Sequence, residues 1–181
     1  MSCRALPPVA LAATLCVAPA FGQLVIDEID YDQPGSDTAE WIEIRLAWDD
    51  LYFLDDVDLV LYDANLSGTC TEYCRVDLSP LVVMSPGQIV IIGAHPNAVL
   101  PLCTSTDAIQ NGGPDAIAIE QGGTILHSVE YESGLTQSVC SLPMTSGADS
   151  DVLSGSLQRC PASGLWEFVT TSSPGSLNSC Q

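Results

Sequence analysis

The sequence predicts an all-β fold, and three observations carry that prediction. Short apolar runs of four to eight residues, rich in Val, Ile, Leu and Trp, recur between Gly, Pro, Asp and Ser, the pattern of many short strands joined by turns. Beyond residue 22, no segment sustains a 3.6-residue apolar stripe over three turns, so no amphipathic helix is expected. The six cysteines beyond residue 22 form an even set, as in small exported folds stapled by disulfides.

Strands are predicted at 24–31, 40–48, 57–63, 74–78, 88–93, 115–120, 124–131, 156–160 and 166–170. In the second, Ile42, Ile44 and Leu46 alternate with Trp41, Glu43 and Arg45, which puts the Ile face on the core and the other face outward. Ser85-Pro86-Gly87-Gln88 suits a type II turn, because proline presets φ and glycine accepts a positive one. It leads into the continuous run Ile89 to Ile92, expected to be covered on both faces. Between Ala116–Ile119 and Ile125–Val129, Gly122 and Gly123 permit a tight hairpin, so these strands should pair antiparallel. The stretches 94–112 and 132–155 read as long loops, the places to look for a binding surface.

Residues 1–22 read as a secretory signal peptide: Arg4 precedes an apolar run from Val9 to Val17 and the small-residue exit Ala18 to Gly22. That run falls short of the ~20 residues a spanning helix needs. Cys16 follows Leu15 rather than a small residue, which argues against lipid attachment. The mature chain, 23–181, is therefore expected to be one secreted or extracytoplasmic domain without membrane insertion. It keeps Arg45, Arg75 and Arg159 against 23 acidic side chains and has no lysine. Phosphate backbones are bound by basic side chains that displace counterions, so nucleic acid is not an expected partner.

Cys70, Cys74, Cys103, Cys140, Cys160 and Cys180 allow 15 disulfide connectivities. Pairing nearest neighbours gives Cys70–Cys74, Cys103–Cys140 and Cys160–Cys180, the last two closing loops that stabilise by roughly 3 to 4 kcal/mol each. Zinc is disfavoured, because Cys70 and Cys74 stand four apart with no second pair.

Several motifs taken together resemble the lamin tail domain family in its secreted bacterial form. They are Val25-Ile26-Asp27-Glu28-Ile29, Glu40 to Ile44, Ser85-Pro86-Gly87, the run Gly112 to Ile119, and a tail of Ser156 to Arg159, Trp166, Ser173-Pro174-Gly175 and Asn178. The resemblance spans about Leu24 to Asn178. Asp27 stands where that family more often has Asn, and Val57 to Tyr62 lacks its usual glycine and tryptophan. The resemblance implies an immunoglobulin-like β-sandwich that serves protein or cell-surface interaction, not catalysis.

Catalysis needs a nucleophile with a base, paired carboxylates or metal ligands. His127 and Ser128 are adjacent in a strand and so face opposite ways, and His95 precedes Pro96 in a loop. No nucleophile elbow, phosphate loop or His-Glu-x-x-His motif occurs. Asp30-Tyr31-Asp32-Gln33-Pro34-Gly35 begins like a calcium loop, but Pro34 replaces a ligand and strands flank it. A simple loop site of Asp30, Asp32 and Asp37 is the one cofactor reading left open, and no other cofactor is expected. The main expectation is a secreted, non-catalytic interaction or surface-structural module. The alternatives are a small secreted hydrolase using calcium or a carboxylate pair, and a calcium-dependent adhesion module. Asn65-Leu66-Ser67 is a glycosylation sequon.

Overall fold

A computed structural model describes residues 24–65, 69–103, 108–132, 140, 142, 149 and 152–180. The expected signal peptide, two residues of the sequon and most of the 132–155 loop lie outside them. Eleven strands are described: β1 (Leu24–Asp30), β2 (Trp41–Leu46), β3 (Tyr52–Phe53), β4 (Val57–Asn65), β5 (Thr69–Asp77), β6 (Val83–Met84), β7 (Ile89–Gly93), β8 (Asp115–Gln121), β9 (Thr124–Tyr131), β10 (Ser156–Arg159) and β11 (Trp166–Val169). A single 3-10 turn, Ser79–Leu81, precedes β6.

The strands form a β-sandwich. One sheet has the order β11-β10-β1-β2-β7, the other β5-β4-β8-β9, and β3 with β6 makes a separate two-stranded ribbon. Every pairing within these sheets is antiparallel. Between the two sheets lies one apolar core, with Ile26, Ile29, Ile42, Ile44 and Leu157 from the first and Leu59, Leu61, Ile117, Ile119 and Val129 from the second. Alternation along each strand supplies it, since every second side chain faces inward.

All nine predicted strands are present, and their turns follow the expected chemistry. Gly87 has φ 73, and Gln88 N–H closes the turn on Ser85 O at 2.9 Å. Gly122 and Gly123, at φ 55 and 78, turn β8 into β9, which pair antiparallel. β7 is covered on both faces, with Val90, Ile91 and Ile92 all buried. Its free edge is also closed, by Val99 N–H on Ile91 O at 2.8 Å and Gly93 N–H on Leu100 O at 2.9 Å, which removes an open template for stray pairing.

Three expectations need correction. β3 and β6 were not anticipated, because two residues show no alternation. The outward face of β2 is not solvent-exposed: Trp41 and Glu43 are 2% and 0% exposed, Trp41 with the His95 ring packed on it and Glu43 under the C-terminal segment that it bonds at Gly175. Two predicted disulfides are exchanged. The pairs are Cys70–Cys140, Cys74–Cys103 and Cys160–Cys180, with Cα separations of 5.3, 5.9 and 5.0 Å. Only Cys160–Cys180 matches the nearest-neighbour set. Cys70 and Cys74 share β5, where four residues span about 13 Å, well beyond the ~7 Å a disulfide can bridge. The two long loops are thus not tied to each other; each is stapled to β5.

Candidate functional site

β1 and β9 run out close together, at Tyr31 just past the first and at Tyr131, and the two buried rings meet at a tilt of 42° with centroids 4.6 Å apart. The next residue in each chain, Asp32 and Glu132, therefore emerges at the same end of the sandwich. There they line a pocket of about 560 Å3 with Gln33, Gly35, Asp37, Asn111 and Gly112. Two of the three calcium candidates, Asp32 and Asp37, thus meet in one place. Asp30 does not line it; its carboxyl accepts from Gln33 Nε2 at 2.5 Å, and burial raises its pKa to about 6.

The Asp37 and Glu132 carboxyls bind the loops that meet at the pocket. Asp37 accepts Gln33 N–H on Oδ1 at 2.8 Å and Asn111 Nδ2 on Oδ2 at 2.9 Å. Glu132 Oε2 accepts the backbone N–H groups of Gly112 and Gly113. Such bonds fix a loop, much as a carboxylate caps exposed amides at a helix start. Among the described residues, no group of three or more His, Cys, Asp or Glu side chains is arranged to hold a metal ion.

A more deeply buried set of acid groups, which sequence reasoning missed, lies on the outer face of the first sheet. Its origin is a bulge in β1: Ile26 pairs with Ile44, yet Glu28 pairs with Glu43. The extra residue, Asp27, lets both Asp27 and Glu28 serve the outer face while Ile29 returns to the core. Asp27 accepts Arg45 Nε at 2.7 Å and Nη2 at 3.0 Å, a bidentate pair with Asp27 fully buried. Glu28 accepts from Ser156 Oγ, Gln158 Nε2, Ser173 N–H and Ser173 Oγ. Glu43 Oε2 accepts Gly175 N–H at 2.7 Å, and its Oε1 has no partner.

The same segment is fixed from its own side. Asn178 Nδ2 donates to Asp27 O at 2.6 Å and Arg159 O at 2.9 Å, and Cys160–Cys180 pins the end beyond it. Burial, with Glu28 and Asp27 close by, pushes Glu43 up to a pKa of about 8. A visible signal existed: two acids inside the apolar strand Val25 to Ile29 are affordable only if something covers and satisfies them.

Both histidines have structural roles. His127 Nδ1 accepts Ile26 N–H at 3.3 Å, which joins the two sheets, and burial lowers its pKa to about 4. His95 Nδ1 accepts Asn97 N–H at 3.1 Å, and its ring packs on Trp41 with centroids 5.7 Å apart. A further acid, Glu40, is nearly fully buried and accepts the N–H groups of Ala108 and Ile109. Among the described residues, no helix is long and apolar enough to cross a membrane. No protein-family model matches the chain, and no curated protein matches it in sequence.

Proposed function

We propose that the chain is an exported, non-catalytic interaction or surface-structural module of lamin-tail type. The observation that carries this reading is the use of the buried acids: Glu28, Glu40 and Glu43 accept backbone N–H groups and hold loops or the C-terminal segment in place. A carboxyl spent on fixing the fold is poorly suited to moving protons for a substrate. Three cysteine pairs at bonding distance fit an oxidising, extracytoplasmic compartment. The tail motif Ser173-Pro174-Gly175 with Asn178 is the part of the sequence that meets the acid network, which fits the lamin-tail resemblance. Its partners on this reading are proteins or cell-surface components.

The test uses the mature chain, 23–181, made in an oxidising host. Labelled domain should be retained saturably by envelopes of the source organism, and a broad hydrolase screen should stay blank with or without calcium. Turnover abolished by removing one of the pocket carboxyls would favour the hydrolase reading instead. A melting temperature raised by millimolar calcium but not by magnesium would favour the adhesion reading.

A further inference from the structure

The five-residue connection 47–51 leaves β2 and enters the ribbon, and both of its ends are pinned to the same neighbouring segment. Leu46 exchanges hydrogen bonds with Gln88 and Gly87, while Tyr52 pairs with Met84 and Phe53 with Val83. Trp48, Leu51, Phe53 and Val82 are thus carried by these two adjoining segments, and they are 50%, 53%, 61% and 61% exposed. Large apolar side chains scattered singly on a surface mean little, whereas several exposed on the ribbon and the segments that lead into it mark an interaction surface.

Val82 adds a second peculiarity. Its φ is 63 and ψ −60, a conformation strained for a β-branched residue. It is held there by Val82 N–H on Ser79 O and by Leu54 N–H on Val82 O, both at 3.0 Å. Glycine would adopt that backbone more easily, and the valine side chain points its bulk at solvent rather than into the core.

The rim decides what fits. Asp49, Asp50, Asp55 and Asp56 flank the apolar residues in sequence and are all exposed, and none of them takes part in a salt bridge among the described residues. A second copy of this chain, with net charge −19, would bring the same anionic rim against itself, and an anionic membrane would be repelled likewise. We propose that the β3–β6 end is a docking surface for a segment of another protein in which Lys or Arg residues flank apolar side chains. This deepens the interaction reading above and rests on it. The apolar residues supply the buried centre, and the aspartates select and steer the partner.

Selection of a displayed random-peptide library on the mature chain tests this. Enriched peptides should combine Lys or Arg with aromatic or aliphatic residues, bind at least tenfold more weakly to Phe53→Ser, and weaken as salt rises. Val82→Gly should bind more weakly while melting no lower than wild type, which separates docking from folding. The proposal is overturned by a library that yields no binders, by binders without basic residues, or by equal binding to Phe53→Ser. A dimer that Phe53→Ser dissolves would also overturn it, in favour of self-association. Saturable envelope retention that survives Phe53→Ser would leave the module an interaction domain and remove only this surface.

Discussion

Glu28 and Glu43 stand directly opposite each other on neighbouring strands, both fully buried, and each accepts a backbone N–H from the same C-terminal segment. Like charges placed directly across a sheet are ordinarily destabilising. Here Glu43, its pKa pushed up to about 8 by burial, keeps its proton at neutral pH, so the two carboxyls do not meet as like charges, and the N–H groups of Ser173 and Gly175 that they accept bring residues 171–178 down as a strap. Sequence motifs at the two ends of the chain thus become one structural unit.

Glu28→Ala should cost about 2–3 kcal/mol in urea unfolding, because the donors of Ser156, Gln158 and Ser173 would lose their common acceptor. A loss under about 0.5 kcal/mol would mean the strap does not depend on this carboxyl.

Glu43 makes stability fall with rising pH. Its folded pKa of about 8 lies above the ordinary 4.5, so the folded protein holds the extra proton between those values. Its stabilising effect is present below about pH 4.5 and is lost as pH rises through 8. Asp30, raised to about 6, and His127, lowered to about 4, confine their own effects below about pH 6.5, where they act in opposite directions. Between pH 6.5 and 8 wild type should lose about 2 kcal/mol that Glu43→Gln does not lose. Parallel stability curves for the two proteins would contradict this.

Arg45→Met should cost about 3–5 kcal/mol, since it strands the buried Asp27 carboxyl without its partner. Adding Asp27→Asn should recover part of that loss. If the double variant is as unstable as the sum of the singles, the cost lies in packing and not in charge.

Gly93→Ala should destabilise by more than about 2 kcal/mol. Gly93 has φ 136, and a Cβ there would come within 2.3 Å of Glu40 O and 2.7 Å of Trp41 Cα. Thermal melting checks it, and a change of a degree or less would mean the strands can part at that point.

Non-reducing peptide mapping should link Cys70 to Cys140 and Cys74 to Cys103. Loss of the Cys70–Cys140 pair, with its sequence separation of 70, should cost about 4 kcal/mol, and loss of either shorter bridge about 3–4. A Cys70–Cys74 linkage would contradict the strand assignment of β5.

Local patterns made the strands legible: the Ile42, Ile44, Leu46 alternation and the glycines at 87, 122 and 123 read directly as sheet and turns. Long-range contacts were not legible in the same way. Nothing near Glu43 announces that Gly175 will lie above it, and the pairing of Cys70 with Cys140 depends on where a loop returns, not on spacing. Asp32 and Asp37 were readable as neighbours, but Glu132 joins them only because Tyr31 and Tyr131 end their strands together. The bulge at Asp27, which redirects two acids to one face, has no signature in alternation alone.

Amide hydrogen exchange at Ser173 and Gly175 bears most directly on the central claim that buried acids hold the C-terminal strap on the sheet. Both amides lie outside any strand, yet they should exchange as slowly as strand amides in wild type and at least tenfold faster in Glu28→Ala and Glu43→Ala respectively, where no side-chain oxygen is left to accept them. Exchange at the rate of an exposed loop in the wild-type protein would contradict the account.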